Sequence, residues 1–222
     1  MNSRLSLRFK IIILGEGGVG KTTLSKSFEQ NTLFQTTSQT IGVEIHIKHL
    51  QFDNFPCTVQ LWDLGGQEHF KKMGIYPQLC QGAHGALICF DLSDLDTFNK
   101  LNQWVEFLPV KTPFILIGTK ADLEKSDNFL EKEIIEWKLS NNCDNYLRTR
   151  FDDYKTIKNA FTALISKIIQ KNSQEINNLE NTNLSGFTSF QSLNGKPSDL
   201  YQESDSRREI NNKKETGTIL IR

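Results

Sequence analysis

The sequence has no excess of charge of either sign and no paired cysteines. Its 222 residues carry 26 Lys and Arg against 26 Asp and Glu, so no net field draws the protein to nucleic acid or acidic lipid. We therefore expect no nucleic-acid partner. Because no cysteine belongs to a Cys-x-x-Cys motif, the sequence predicts reduced thiols in a cytoplasmic protein and no zinc cluster. The cysteines are Cys57, Cys80, Cys89 and Cys143.

Long apolar runs are also missing. No segment is apolar over enough residues to span a membrane, and the first residues, MNSRLSLRF, lack the apolar centre of a signal peptide. Asn2 stands where myristoylation needs Gly, and the last residues, GTILIR, contain no Cys for prenylation. We therefore expect no encoded lipid anchor. The expected location is cytoplasmic or peripheral to membranes, with membrane contact only through partner proteins.

Composition divides the chain near Lys171. Residues 1–171 contain the apolar and amphipathic runs that a folded domain needs, whereas residues 172–222 are rich in Asn, Ser, Glu and Lys. So polar a segment cannot bury enough apolar surface to offset the conformational entropy lost on ordering. We predict a folded domain over residues 1–171 and a polar, disordered tail over residues 172–222. Within the tail, only GTILIR has a strand-forming composition.

Within the folded part, buried-strand patterns alternate with helical ones. The predicted helices cover residues 21–30, 94–108, 128–139 and 154–169. The predicted strands are RFKIIILG, VEIHIKHLQF, CTVQLWDL, HGALICFDL, FILIGT and NYLRT. This alternation, with one early hairpin, predicts an α/β fold with a mostly parallel six-stranded sheet and helices on both faces. Ligands of such sheets bind at the carboxyl ends of the strands.

The segment GEGGVGKT fits the phosphate-binding pattern Gly-x-x-x-x-Gly-Lys-Ser/Thr, and it lies between an apolar strand and a helix, as the motif requires. Its glycines permit a tight loop whose backbone N–H groups point at an anion, and the helix N-terminus adds positive charge. Lys21 can reach the β and γ phosphates, and the Thr22 hydroxyl can bind Mg²⁺. The loop predicts a P-loop nucleoside triphosphatase with phosphate-binding residues Gly15, Gly17, Gly18, Val19, Gly20, Lys21, Thr22 and Thr23.

Two further segments supply candidate metal and catalytic groups. Asp63 ends the strand CTVQLWDL, where its carboxylate can hold Mg²⁺ through water, and Gly66 can donate a backbone N–H to a γ phosphate. Gln67 can orient the attacking water. The hydroxyl of Thr40 can close over Mg²⁺ when the γ phosphate is present, although Thr40 alone is equally well explained as an ordinary loop threonine. The predicted metal ligands are Thr22, Thr40 and Asp63, and the predicted catalytic residues are Gln67 and Lys21.

The segment GTKAD, which closes the strand FILIG, predicts which base is bound. The Asp122 carboxylate can accept hydrogen bonds from N1–H and the exocyclic amine of guanine. Adenine lacks this pair of donors, and a polar site of this kind discriminates strongly against it. The aliphatic stem of Lys120 can lie over the plane of the base. We therefore predict that the nucleotide is GTP or GDP.

These motifs together resemble the Ras superfamily of small GTPases, and most of all its Rab branch. The resemblance rests on GEGGVGKT, TIG at Thr40, WDLGGQE, GTKAD and GAHGALICFDLSDLDTFNKLNQW, and it covers residues 9–170. It implies GTP binding, slow GTP hydrolysis and a molecular switch whose loops around Thr40 and Gln67 change with the nucleotide. It also implies effector, exchange-factor and GTPase-activating partners at those loops, and a role in membrane trafficking or signalling.

The chain departs from the Rab pattern at several positions. WDLGG has Leu64 and Gly65 where Rab proteins usually have Thr and Ala, a feature seen in Arf-like and fungal septation GTPases. Thr119 replaces the more usual Asn, and its hydroxyl can still donate and accept hydrogen bonds at the nucleotide site. The aromatic residue that packs on guanine corresponds to Leu33 by strict spacing, but we favour its neighbour Phe34.

The largest departure lies near the base. The resemblance places Arg150, Phe151 and Asp152 on the Ser-Ala-Lys positions of the family's fifth motif. The guanine O6 contact at this place comes from a backbone N–H, which Phe151 retains. The bulkier loop is expected to weaken base binding without removing selectivity for GTP.

Two alternatives to a GTP-hydrolysing switch remain open from the sequence. One is a binding or scaffold protein of the same fold that has lost regulated hydrolysis, an interpretation favoured by the altered fifth motif and disfavoured by Lys21, Thr40 and Gln67. The other is a different P-loop enzyme such as a kinase. That alternative is disfavoured by Asp122 and by the lack of a recognisable acceptor site or lid.

Overall fold

A single sheet of seven strands organises the computed structural model, which describes residues 7–33, 39–52, 55–124, 128–143, 145–181 and 218–219. The strands are β1 (Leu7–Leu14), β2 (Val43–Phe52), β3 (Phe55–Leu64), β4 (Gly85–Asp91), β5 (Phe114–Thr119), β6 (Tyr146–Arg148) and β7 (Thr218–Ile219). The helices are α1 (Lys21–Gln30), α2 (Glu68–Lys72), α3 (Tyr76–Cys80), α4 (Leu95–Asn99), α5 (Leu101–Val105), α6 (Asn128–Ser140) and α7 (Tyr154–Asn181).

The strand order across the sheet is β6-β5-β4-β1-β3-β2-β7. β1 pairs in parallel with β3 and β4, and β5 pairs in parallel with β4 and β6. β2 runs antiparallel to β3, which is the predicted hairpin. The predicted α/β fold with six mostly parallel strands is therefore confirmed, and β7 adds two residues at the edge beside β2.

Apolar side chains of β1 alternate between two cores because neighbouring residues of a strand face opposite sides of the sheet. Ile11 and Ile13 pack with residues of α1 and α7 on one face. Ile12 and Leu14 pack on the other face with residues of α3, α5 and α6. The second half of β1, Ile11 to Leu14, is fully buried on both faces, as its continuous apolar run predicts for a central parallel strand. This burial fixes the carboxyl end of β1, where the phosphate loop begins.

The helices around the centre of the chain differ in detail from the prediction. The helix predicted over residues 94–108 is two short helices, α4 and α5, separated at Lys100, whose backbone leaves the helical region at φ −94° and ψ 2°. The apolar stripe continues in phase across this break, with Phe98, Leu101 and Trp104 all buried, so periodicity alone does not detect it. The helices α2 and α3, which follow Gln67, were not predicted.

The last helix is longer than the one predicted over residues 154–169, because α7 continues to Asn181. A helix that is already nucleated gains one hydrogen bond for each added residue, so a polar sequence can extend it without an apolar face. β7 pairs with Val43 and Glu44 of β2, so part of the strand-forming GTILIR segment lies on the sheet edge. The rest of the predicted tail lies outside the described residues, and the domain boundary near Lys171 stays a prediction.

No helix among the described residues combines the length and the apolar composition that crossing a bilayer requires.

The face of the sheet that carries α1 and α7 should depend strongly on one aromatic pair. Phe28 of α1 and Phe161 of α7 are stacked with ring centroids 4.0 Å apart, and both are buried. Phe161→Ala should lower the free energy of unfolding by about 3–5 kcal/mol, measured by urea denaturation at fixed GDP and Mg²⁺ concentrations. Leu139→Ala is the control, since Leu139 is 75% exposed, and it should change stability by less than about 0.5 kcal/mol. Equal costs for the two variants would contradict the packing described here.

Candidate functional site

A cavity of about 660 Å³ opens at the carboxyl ends of the strands, where the sequence predicts the ligand. Most of the predicted nucleotide-binding residues line it: Gly17, Gly18, Gly20, Lys21, Thr22, Thr23, Thr40, Gly66, Gln67, Thr119, Lys120, Asp122 and Phe151. Gly15, Val19 and Asp63 do not line it, and each is buried. Residues that line the cavity without having been predicted include Gln39, Leu123, Thr149, Arg150 and Ile157.

The phosphate loop joins β1 to α1 and wraps the ammonium group of Lys21. Lys21 is buried, and its Nζ donates to the carbonyl oxygens of Gly15 at 2.8 Å and Glu16 at 2.7 Å. Burial lowers the pKa of Lys21, and the nearby carboxylate of Asp63 opposes this shift. An ammonium that is held by carbonyl oxygens at the N-terminus of a helix presents positive charge to an anion in the cavity.

Gly66 lies directly against the phosphate loop. Its carbonyl oxygen accepts a hydrogen bond from the backbone N–H of Gly17 at 3.0 Å. A Cβ atom at Gly66 would lie 2.4 Å from the carbonyl oxygen of Gly15 and 2.5 Å from the nitrogen of Gly17, which is closer than such atoms approach. Only glycine fits at this close approach to the phosphate loop, and the contact of Gly66 with a γ phosphate stays a prediction.

The oxygen atoms of the three predicted metal ligands converge beside Lys21. The hydroxyl oxygens of Thr22 and Thr40 are 2.5 Å apart, Thr22 donates to Oδ2 of Asp63, and the Thr40 hydroxyl is 3.3 Å from the same atom. Asp63 is fully buried, and its Oδ1 has no hydrogen-bond partner in the described part of the chain. Burial raises the pKa of Asp63, while the charge of Lys21 and the hydrogen bond from Thr22 oppose the rise. Hydroxyl and carboxylate oxygens with an unsatisfied buried atom fit the ligand preference of Mg²⁺.

The loops around Thr40 and Gln67 contact each other. The side-chain Nε2 of Gln67 donates to the carbonyl oxygen of Thr40 at 2.9 Å, and the backbone N–H of Gly65 donates to the carbonyl oxygen of Gly42 at 2.8 Å. The hydroxyl of buried Tyr76 donates to the carbonyl oxygen of Gly65 from the other side. The two loops are therefore joined across the phosphate end of the cavity.

Thr119 lines the cavity, but its hydroxyl bonds to the protein. Its buried hydroxyl lies 2.6 Å from the carbonyl oxygen of Val19 and 2.8 Å from that of Phe90, and its single proton is shared between the two. Through Val19, this residue of β5 supports the phosphate loop. In this structure the hydroxyl donates to backbone, and its role at the nucleotide stays a prediction.

The base end of the cavity is lined by Lys120 and Asp122, which follow β5. Lys120 has a left-handed backbone with φ 55°, and its Nζ lies 2.5 Å from Oδ2 of buried Asp91. The paired ammonium leaves the aliphatic stem of Lys120 along the cavity wall. Asp122 is exposed in that wall, so its carboxylate is open to a ligand.

The loop after β6 closes the same end of the cavity. Arg150 and Asp152 form a two-pronged ion pair, with Nε to Oδ1 at 2.9 Å and Nη2 to Oδ2 at 2.8 Å. Phe151 stands between them in the cavity wall and is 43% exposed. Phe34, favoured from the sequence as the aromatic neighbour of the base, lies outside the described residues. Leu33 is exposed and does not line the cavity.

The sequence model of the Ras family matches residues 10–170 of this chain. The chain belongs to the Ras family. Among its relatives, Ras-related protein Rab7A of Mesembryanthemum crystallinum is 33% identical over 203 residues, which are 86% of this chain and 97% of the relative. Ras-related protein RABG3b of Arabidopsis thaliana is 32% identical over 79% of this chain and 90% of its own length. Ras-related protein Rab-7a of Dictyostelium discoideum is 30% identical over 77% of this chain and 87% of its own length.

Membership of the Ras family confirms the Rab-like resemblance and the function it implies. The protein is a small GTPase of Rab type that acts in membrane trafficking. Ras-family GTPases bind guanine nucleotides, generally with Mg²⁺, and hydrolyse GTP. The scaffold and kinase alternatives are not favoured.

The support that Thr119 gives to the phosphate loop should be measurable. Thr119→Val removes the hydroxyl but keeps the shape of the side chain, so the buried carbonyl oxygens of Val19 and Phe90 lose a donor, at a cost of about 1–3 kcal/mol. We expect release of a fluorescent GDP analogue to become about tenfold faster in stopped-flow measurements. Thr119→Ser keeps the hydroxyl and should release the analogue at nearly the unmodified rate. Equal release rates for the two variants would contradict the supporting role.

Proposed function

We propose that the cavity binds GTP and GDP with the phosphates at the loop formed by residues 15–22 and the base between Lys120 and the loop after β6. Lys21 binds the β and γ phosphates, and Gly66 offers its backbone N–H to the γ phosphate. The observation that carries the proposal is the convergence of the oxygens of Thr22, Thr40 and Asp63 beside the buried ammonium of Lys21. The buried ammonium can neutralise the charge of the phosphates, and the neighbouring oxygen cluster can bind Mg²⁺. Together they fit a magnesium–triphosphate complex.

The metal site follows from the same cluster. Thr22, Thr40 and Asp63 would hold Mg²⁺, with Asp63 acting through water. Bound there, Mg²⁺ supplies charge neutralisation for the phosphate oxygens. The unsatisfied Oδ1 of Asp63 is one atom that such a cation, or a water bound to it, would satisfy.

Gln67 has the catalytic role in this proposal. Its side chain is fixed at one end by the hydrogen bond to the Thr40 carbonyl oxygen, and its Oε1 has no partner in the described part of the chain. This oxygen is buried in the structure, so it retains an unused acceptor that would orient the attacking water once the γ phosphate and water are bound beside it. Lys21 stabilises the negative charge that the phosphates carry in the transition state.

The base is recognised at the other end of the cavity. Asp122 accepts the two guanine donors, the Lys120 stem covers the base plane, and the backbone N–H of Phe151 contacts guanine O6. Thr119 acts on the nucleotide through the phosphate loop. The predicted set also includes Phe34 as the aromatic neighbour of guanine.

The surface around Thr40 and Gln67 is where we place the effector, exchange-factor and GTPase-activating partners. Ile41 and Met73 flank these two residues and are 64% and 53% exposed, so apolar surface is available next to both loops. Because the loops contact each other, a partner bound here would contact both loops and respond to the conformation of each. We propose a cytoplasmic location peripheral to membranes, with membrane contact made through such partners.

The catalytic role of Gln67 is tested by single-turnover hydrolysis of bound GTP. Gln67→Leu removes the group that orients water, so the rate constant should fall on the order of tenfold or more while GTP affinity stays the same. Gln78→Leu is the matched control, because Gln78 is an exposed residue of α3, and it should hydrolyse GTP at the unmodified rate. Equal rates for the two variants would overturn the role of Gln67. If the unmodified protein also fails to hydrolyse GTP, the result would support the scaffold alternative.

The altered loop after β6 generates a separate prediction. Arg150→Ser combined with Phe151→Ala removes the ion pair with Asp152 and the exposed ring, and keeps both backbone N–H groups. We expect the Kd for GDP to fall several-fold, measured by isothermal titration of nucleotide-free protein, with preference for GDP over ADP retained. Asp152→Asn alone is the comparison that breaks the ion pair while leaving the bulk of the loop. An unchanged Kd in the double variant would contradict the idea that this loop weakens base binding.

A further inference from the structure

Glu16 is the residue of the phosphate loop whose side chain points away from the nucleotide cavity. Its backbone carbonyl oxygen accepts from Lys21, but its carboxylate lies against α2 and α5. Oε1 accepts from Nε1 of Trp104 at 3.0 Å and from Nζ of Lys71, and Oε2 lies 3.4 Å from Nζ of Lys100. The phosphate motif permits any residue at this position, so the carboxylate requires its own explanation.

The carboxylate is enclosed rather than solvated, with 12% of the side chain exposed. Burial raises the pKa of Glu16, but the hydrogen bond and charge of Lys71, the charge of Lys100 and the hydrogen bond of Trp104 outweigh burial and leave the pKa lowered. The side chain is therefore ionised at neutral pH. A buried carboxylate with several donors is held in one geometry, unlike a surface ion pair.

Lys71 is the partner that connects this carboxylate to the loop of Gln67. It belongs to α2, the helix whose first residue, Glu68, follows Gln67 directly. The Lys71 side chain is only 9% exposed, and its ammonium lies 4.4 Å from the centroid of the Trp104 ring. The charge of Lys71 also acts on Lys21 and lowers its pKa, so Glu16 separates two cations at the phosphate end. Loss of Glu16 would leave Lys71 with only its longer contacts, to Glu68 at 3.7 Å and to Gln103 at 3.4 Å, neither of which belongs to the phosphate loop.

We propose that Glu16, Lys71 and Trp104 form a latch that holds α2 against the phosphate loop and thereby positions Gln67 for GTP hydrolysis. The three are positioning residues, since none of their side chains lines the cavity. The latch ties the helix after Gln67 to the loop that binds the phosphates, while Gln67 itself is tied to Thr40. Movement of the nucleotide loop is in this way transmitted to the residue that orients water. The inference rests on the proposed role of Gln67.

The test compares two lysines that contact the same carboxylate. Lys71→Met removes the bond from Glu16 to α2, whereas Lys100→Met removes a bond to a residue outside α2 whose side chain is 46% exposed. We expect Lys71→Met to slow single-turnover GTP hydrolysis about fivefold with GDP affinity unchanged, and Lys100→Met to stay within about twofold of the unmodified rate. Lys71→Arg, which keeps the charge, should recover most of the rate. Glu16→Gln combined with Lys71→Met should be no slower than the worse single variant.

A second readout separates positioning from plain stabilisation. The ¹⁵N indole signal of Trp104, one of three tryptophans, should shift in Glu16→Gln, and amide exchange across α2 should speed up in Lys71→Met but not in Lys100→Met. Equal loss of hydrolysis in Lys71→Met and Lys100→Met, or unchanged hydrolysis in Lys71→Met with faster exchange in α2, would overturn the latch. Gln67→Leu measured alongside reports on the proposed function itself. If it hydrolyses GTP normally, the assignment of Gln67 fails, and the exchange data then show whether α2 is held at all.

Discussion

The close approach of two backbone segments, Gly66 against the phosphate loop, is the constraint on which the site depends. The hydrogen bond from Gly17 to Gly66 brings the end of β3 and the loop after β1 to a separation that leaves no space for a Cβ atom. Because β1 and β3 are paired in parallel, both segments leave the sheet on the same side, at the carboxyl ends of the strands. Gln67 and α2 start from this contact, so their positions are set by the sheet and not by the loop alone.

Two buried charged groups, Lys21 and Asp63, lie beside this contact, and the protein compensates their charges only in part. Lys21 is buried with two carbonyl oxygens as acceptors, and Asp63 is buried with one carboxylate oxygen lacking a partner in the described chain. Buried charges are costly unless they are paired and hydrogen-bonded. In the proposed complex, a triphosphate with its cation would supply the missing partners for both groups. The arrangement therefore favours the liganded protein over the free one by mass action, and nucleotide binding and stability are coupled.

The sequence predicts what local patterns encode, and much less of what tertiary packing adds. The strands and the groups around Lys21, Asp63 and Asp122 were recognisable because each motif is contiguous and sits at a strand end. The break between α4 and α5 at Lys100 was not predicted because the apolar stripe continues through it. The contacts of Glu16 and the backbone acceptors of Thr119 were also missed, since their partners lie 29 to 100 residues away in sequence and no periodicity relates them. Extension of α7 was missed because composition reports on burial and not on helix propagation.

The departures from the Rab pattern are unevenly placed between the two ends of the site. The phosphate end departs at Leu64 and Gly65 but keeps the predicted phosphate, metal and catalytic groups, and its glycines fit the space around them. At the base end, an Arg–Asp ion pair and an exposed ring stand where the family has small residues and a lysine. Thr119 lies between the two ends and donates to the carbonyl oxygen of Val19, so one buried hydroxyl connects the end of β5, which precedes Lys120 and Asp122, to the phosphate loop. We expect an altered base pocket to change the rate of nucleotide release through this link, and any movement of the phosphate loop to reach Gln67 as well, because Glu16 of that loop contacts Lys71 of α2.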